Sequence, residues 1–390
     1  MQHPMIPYGR QSIDQSDIDA VVEVLRSDFL TQGPAVPAFE RAVMGYCGAE
    51  HAVAVNSSTS ALHLACLALG VGEGDLVWTS PVTFVASANC ARYCGASVDF
   101  VDIDPATYNL DAAALERKLA AAKKAGRLPK AVIPVHMCGQ SCDMAAISAL
   151  GREYGFRIIE DGSHAIGGKY LGSPIGGCRF SDITVFSFHP VKIITTGEGG
   201  MAVTNDERLA KTMSRLRSHG ITRDEEEMSG PSDGPWYYQQ LGLGFNYRLT
   251  DLQAALGTSQ MSRLDEFVCK RTALSRRYDA LLSELPLAIP RQHLDAASAW
   301  HLYVIRLNLD LCKRSRLEIF QSLRDLGIGV NLHYIPVHLQ PYYRDLGFRE
   351  GHCPEAERYY GEALTLPLFP AMTDADVGRV HDALLTATKT

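Results

Sequence analysis

Lys192 lies in the segment Phe186–Gly200, FSFHPVKIITTGEGG. An apolar strand is expected to end at Ser187. Lys192 follows in a short polar stretch, and a glycine-rich turn comes next. Open α/β sheets bind ligands beyond the carboxyl ends of their strands, so a lysine placed there faces a ligand crevice. Desolvation lowers the pKa of a lysine, and its free amine can form a Schiff base with a carbonyl cofactor. Taken alone, the segment also fits a surface lysine beside a hairpin.

The segment Ile158–Ala165, IIEDGSHA, runs two apolar residues into Glu160 and Asp161 at the carboxyl end of a strand. Pyridoxal phosphate (PLP) stabilises a carbanion only while its pyridine nitrogen stays protonated, and a buried aspartate keeps it so. The alternative is an acid that caps the next turn. Two adjacent strands and their connection account for the separation of Asp161 from Lys192. In Asn56–Leu62, NSSTSAL, the residues Ser57, Ser58, Thr59 and Ser60 crowd the start of a helix. Hydroxyls and free N–H groups there bind phosphate, or simply cap the helix. The chain has no Walker A motif and no GxGxxG fingerprint, which disfavours nucleotide hydrolysis and dinucleotide binding.

Two further segments carry polar groups. Gly244–Asp251, GFNYRLTD, places Asn246 and Arg248 around Tyr247 in a turn before a helix. His333–His338, HYIPVH, sets two histidines and a tyrosine around a proline, as a metal site, a substrate-contact loop or a surface loop. The ten cysteines do not form a disulfide framework in a chain of 390 residues. Cys90/Cys94 and Cys138/Cys142 are spaced four apart, but no clear second pair of ligands accompanies them. They are expected as reduced thiols, with no metal.

The elements that position these residues alternate. Strands are expected at 51–56, 76–80, 97–101, 130–135, 157–160, 183–187 and 200–204. Helices are expected at 60–69, 84–94, 111–125, 144–154 and 207–218. This is an α/β pattern with a mostly parallel sheet buried on both faces. The stretch 224–234 is polar, acidic and expected as a surface loop. A long helix is expected from Thr250, with Thr250 and Asp251 as N-cap residues, to about Leu285. A smaller α+β region follows: a strand at 302–307 and helices at 313–326, 354–363 and 374–385. The expected division is a large domain, 1–255, with an N-terminal arm, and a small domain, 256–390.

Composition sets outer bounds. With 37 basic and 44 acidic residues the formal charge is −7, and 46% of the residues are apolar. Nucleic-acid binding through bulk positive charge is disfavoured. No run of 18 apolar residues predicts a membrane span, and Met1 to Arg10 lacks a secretory pattern, so a cytoplasmic enzyme is expected.

Together and in this order, the segments resemble the DegT/DnrJ/EryC1/StrS family of PLP-dependent sugar aminotransferases. The resemblance runs from IPYGRQ at Ile6 to LPLFP at Leu366, with FSFHPVKIITTGEGG the most specific signature. It implies an aspartate aminotransferase-like (type I) fold and a homodimer that shares its active sites. By this resemblance Lys192 holds PLP as a Schiff base and shuttles the proton. Asp161 pairs with the pyridinium nitrogen. His164, where many relatives carry Gln, lies near the ring's 3-hydroxyl. Thr59, Ser60 and Ser187 bind the phosphate, and Asn246 reaches it from the partner subunit. Phe84 stacks on the ring. Dehydratase relatives carry His in place of the lysine, so Lys192 supports transamination.

The strings SDFLTQGPAVPAFE, TSPVTFVASANCARYCGA, VDFVDIDPATYNLD and HYIPVHLQPYY resemble one branch of that family. It makes UDP-4-amino-4,6-dideoxy-N-acetyl-β-L-altrosamine for pseudaminic acid biosynthesis. The implied reaction moves the amino group of L-glutamate, by way of pyridoxamine phosphate, to carbon 4 of a UDP-4-keto-6-deoxy-2-acetamido sugar. Tyr8, Thr31, Arg248, His333, Tyr334 and His338 are the implied contacts to the UDP-sugar. Two alternatives stand beside this one. The first is the same chemistry on a dTDP- or GDP-sugar or at carbon 3. The second is a regulatory protein that keeps the fold without turnover, which intact Lys192 and Asp161 oppose.

Overall fold

The computed structural model describes residues 4–389. Met1, Gln2, His3 and Thr390 lie outside them, including part of the stretch searched for a secretory pattern. Seven strands form the central sheet: β1 His51–Val55, β2 Leu76–Thr79, β3 Ser97–Phe100, β4 Ala131–Ile133, β5 Arg157–Asp161, β6 Ile183–Ser187 and β7 Gly200–Thr204. Their spatial order is β1-β7-β6-β5-β4-β2-β3. From β3 through β6 every pairing is parallel, whereas β7 runs antiparallel to both β6 and β1. All five residues of β6 and of β7 are buried, as strands covered on both faces must be. The mostly parallel α/β architecture expected from the alternating pattern is present.

Capping explains where several helices begin. The side chain of Ser57 accepts the Ser60 N–H, Asp111 that of Ala113 and Asp143 that of Ala146. Thr250 and Gln253 form a reciprocal capping box, so Thr250 is the N-cap. The single helix expected from there is two, Asp251–Met261 and Leu264–Leu282. Arg263 leaves the helical line between them, and its guanidinium meets Asp14 at 2.8 Å and also Asp17. The chain gains that ion cluster, of which only Asp17 is fully buried, at the cost of helical continuity. Asp14 and Asp17 belong to the start of the helix Gln15–Arg26, which the sequence pattern did not reveal. The same is true of the helix Ala35–Cys47.

A second core gathers Ile6, Leu274, Tyr278, Leu282 and the C-terminal helix Asp374–Lys389 around a small antiparallel sheet. Its strands are Leu287–Ala288, Tyr303–Leu307 and Ala363–Leu366. The last begins where a helix was expected to end, because Ala363 already pairs with Arg306. Leu264 and Phe267 pack beneath the large sheet, while Leu274 and Tyr278 of the same helix enter the second core. We propose that the division between the domains falls in that helix, further along than residue 255. The N-terminal segment sits with the second core: Ile6 exchanges backbone hydrogen bonds with Gly327 and Gly329 at 2.9 and 2.7 Å.

All ten cysteines are free. Among the described residues no group of three or more His, Cys, Asp or Glu could hold a metal ion. Among the same residues no helix is long and apolar enough to cross a membrane.

Candidate active site

Three strand ends converge at the carboxyl edge of the sheet. Asp161 ends β5, Ser187 ends β6, and Val55 ends β1 just before Ser57. Gly200 pairs with both Val55 and Ser187. A Cβ at Gly200 would lie 2.4 Å from the backbone of Ser57 and Ser58, so only glycine admits this approach. It seats the N-terminus of the helix Ser58–Ala68 against the strand ends. The Ser57 cap accounts for the Ser60 N–H at 3.1 Å. The earlier N–H groups of that helix start have no intrahelical acceptor and are suited to an anion.

Ser57, Ser58 and Thr59 line a cavity of about 470 Å³ together with Lys192, Asp161 and His164. The Lys192 amide donates to the His189 carbonyl at 2.9 Å. The loop beyond it is pinned where the Thr195 hydroxyl donates to the Phe188 carbonyl at 3.0 Å. Burial brings the Lys192 ammonium pKa down to about 8, with Asp161 partly opposing it. Asp161 is buried; its Oδ2 accepts the Ser87 hydroxyl at 2.6 Å and its Oδ1 the Ser163 N–H at 3.1 Å.

Aromatic and imidazole rings form the facing wall. The Tyr334 hydroxyl lies 3.2 Å from His164 Nε2, and the His164 ring centroid lies 4.4 Å from that of His301. Burial, aided by Lys192 and His333, holds His164 far below the usual imidazole range, so it is neutral. His333 is pushed down to about 3 by burial and Lys192, and its Nδ1 lies 2.9 Å from the Thr365 hydroxyl. Tyr8 packs against His333 at 5.4 Å between ring centroids. Phe84 is 59% exposed and lines the same cavity, 6.3 Å from the Tyr334 ring, free to lie against a planar ligand.

Nine of the fourteen residues to which the resemblance gives a cofactor or substrate role therefore share one cavity: Tyr8, Thr59, Phe84, Asp161, His164, Ser187, Lys192, His333 and Tyr334. Five do not line it. The Ser60 hydroxyl is spent on Asn56 Oδ1 at 2.6 Å, so Ser57 and Ser58 take its place on the wall. His338 turns the other way and is buried against Glu357 at 2.8 Å. It is a structural histidine here, not a substrate contact. Thr31, Asn246 and Arg248 lie outside the cavity lining, bridged to Thr250, Ser218 and Val55, the last of these the end of β1.

Sequence reading missed Ser87 and His301. Ser87 is three residues beyond Phe84, on the helix Ala86–Tyr93, and could have been found from that spacing. His301 carried no local signal. It arrives from the far end of the chain, its N–H held by the Cys138 carbonyl at 2.9 Å.

These residues fit PLP. Asp161 offers a held carboxylate for the pyridine nitrogen, Lys192 an amine that burial partly deprotonates, and the helix start N–H groups for the phosphate. The buried His164 Nδ1 has no partner among the described residues, which leaves it available to the ring.

The DegT/DnrJ/EryC1/StrS aminotransferase family profile matches residues 11–385. The chain is 41% identical to the spore coat polysaccharide biosynthesis protein SpsC of Bacillus subtilis over 97% of this chain and 96% of that one. Among solved structures it is similar to Helicobacter pylori PseC, an aminotransferase involved in the biosynthesis of pseudaminic acid. That match has 30% identity, covers 99% of each chain and has a TM-score of 0.89. The Streptococcus pneumoniae putative sugar aminotransferase Spr1654 is also similar in its pyridoxamine phosphate form, at 30% identity and TM-score 0.89, over 98% of this chain and 99% of that one. Spr1654 has been solved in its PLP form as well. The chain belongs to the DegT/DnrJ/EryC1/StrS aminotransferase family and is a sugar aminotransferase that works with PLP.

Proposed function

We propose that the enzyme transfers the amino group of L-glutamate to carbon 4 of a UDP-4-keto-6-deoxy-2-acetamido sugar. The product would be UDP-4-amino-4,6-dideoxy-N-acetyl-β-L-altrosamine, an intermediate of pseudaminic acid biosynthesis. The observation that carries this reading is the likeness to PseC along the whole chain, with Lys192 and Asp161 in one cavity.

PLP supplies an electron sink for the carbon that loses its proton. The protein's groups do the rest. Lys192 Nζ, with its pKa near 8, takes a proton from the donor's α-carbon and later returns one to the sugar carbon from one face. Asp161, oriented by Ser87 and Ser163, holds the ring proton. The Ser58 and Thr59 end of the helix binds phosphate. Tyr8, His333 and Tyr334 face the sugar from the opposite wall.

We also propose a cytoplasmic homodimer in which Thr31, Asn246 and Arg248 serve the partner's site. Their place outside the lining of their own cavity supports this.

The greater identity to SpsC supports a second reading, in which the same chemistry acts on another nucleotide ketosugar of polysaccharide assembly. Purified enzyme offered L-glutamate and a panel of UDP-, dTDP- and GDP-ketosugars separates them. Mass spectrometry of the aminosugars should give product from the UDP-4-keto substrate. Turnover confined to dTDP- or GDP-sugars, or to 3-keto sugars, would select the second reading.

A further inference from the structure

The polarity of one hydrogen bond decides what His164 can do. Its Nε2 meets the Tyr334 hydroxyl at 3.2 Å, and its Nδ1 is buried with no partner among the described residues. A neutral imidazole has one N–H and one bare nitrogen, and the bond at one nitrogen fixes the state of the other. Two arrangements exist. In the first, Nε2–H donates to Tyr334, the tyrosine's own proton is left without an acceptor among the described residues, and a bare Nδ1 is left for the cofactor. In the second, Tyr334 donates to Nε2, and Nδ1–H faces the cavity as a donor. The oxygen on the PLP ring, beside which His164 is read to lie, is an acceptor when it is ionised. Only the second arrangement gives every proton a destination, and a buried donor without one is costly.

We propose that Tyr334 is a positioning residue that locks His164 in the Nδ1–H tautomer and so makes it a hydrogen-bond donor to the oxygen of the cofactor ring. The proposal rests on the PLP reading of this cavity. The surroundings agree with it. The rings nearest His164 are His301 and Tyr334, and beyond burial it is Lys192 and His333 that disfavour its charged form. Among the described residues no acid hydrogen-bonds to it, and burial keeps both His164 and His301 neutral. Burial also raises the Tyr334 hydroxyl, so it keeps the proton it donates. Tyr334 comes from the 331–338 segment, whose His333 meets Thr365 of the small sheet, and its own ring packs against the core of the large sheet. His164 lies just beyond β5 of that sheet.

Two measurements test this. The first uses 15N-histidine NMR on cofactor-free protein, with His164 identified by the signal lost in His164→Gln. Wild type should carry the proton on Nδ1, and Tyr334→Phe should give a tautomer mixture. A proton on Nε2 in wild type overturns the proposal. The second is a double-mutant cycle on PLP dissociation constants, followed by fluorescence. Tyr334→Phe should weaken PLP binding about three- to tenfold in the wild-type background. It should have little effect once His164→Gln is present. Equal weakening in both backgrounds overturns the proposal, because Tyr334 would then act without His164. Failure of the wild-type protein to bind PLP at all would sink the cofactor reading instead, while the tautomer could still be read from the cofactor-free protein.

Discussion

Ser87 and Asp161, 74 residues apart, share a buried hydrogen bond of 2.6 Å in which the hydroxyl donates to Oδ2. Ser163 N–H holds the other oxygen, so both lone-pair faces of the carboxylate are aimed by the fold. A hydrogen bond to a charged group contributes about 1.5–3 kcal/mol. Ser87→Ala should therefore lower kcat about 10- to 100-fold with the glutamate KM little changed, as steady-state kinetics would read. Asp161→Asn should cost more than Ser87→Ala, since it removes the charge as well. An equal loss in the two variants would show that aiming the acid matters as much as its charge.

The state of Lys192 predicts a pH dependence. Its pKa lies near 8 in the cofactor-free protein because burial disfavours the ammonium. Only the neutral amine attacks an aldehyde. The rate at which PLP attaches, followed by stopped-flow absorbance, should climb through a midpoint near pH 8 and level off above it. A midpoint above pH 10, the ordinary lysine range, would show that the site does not desolvate this group. Lys192→Ala should abolish turnover.

Beneath the site, His136 Nε2 donates to Glu160 Oε2 at 2.7 Å, while the Cys142 N–H donates to His136 Nδ1 at 3.2 Å. Burial alone would raise the Glu160 carboxyl. His136, Ser181 and Thr184 outweigh it and hold the group below its ordinary value. The stabilisation is therefore present above the ordinary carboxylate pKa and is lost as the pH falls through the lowered one. His136→Leu should destabilise the fold by about 3 kcal/mol in urea titration, because it leaves a buried acid short of a partner. A loss under about 0.5 kcal/mol, the scale of a surface change, would mean that water replaces the imidazole without penalty.

Gly200 offers a steric test. The methyl of Gly200→Ala would press on the Ser57 and Ser58 backbone from 2.4 Å, so the helix start must move away from the strand ends. PLP affinity should fall more than tenfold, with about 1–3 kcal/mol lost in stability. Unchanged affinity would show that the phosphate does not depend on this approach.

The strands were legible because each is a short apolar run bounded by turn residues. ITVFS and GMAVT are buried from end to end, so composition alone marked them. Lys192, Asp161 and Thr59 were legible because each sits at a strand or helix end, where ligand sites form. Ser87 was marked only by its place three residues beyond Phe84, and His301 not at all, because its role depends on contacts made over long stretches of chain, which no local periodicity records. His338 misled for the same reason. Its spacing from His333 says nothing of the 3-10 turn Val337–Leu339, which carries its ring to Glu357 while His333 meets Thr365. The break at Arg263 was hidden because its cause, the pair Asp14 and Asp17, lies near the other end of the sequence.

One wall of the cavity comes from the strand ends of the large sheet, and Tyr8 and His333 reach it from segments hydrogen-bonded to Leu368 and Thr365 of the second core. Bond-making groups and these sugar-facing groups thus sit on different stretches of chain. Drift in the second set could retune the choice of sugar while the proton-transfer apparatus stayed untouched. Lineages that share this chemistry but differ in sugar should then diverge first in the short stretches around residues 6–8 and 331–338.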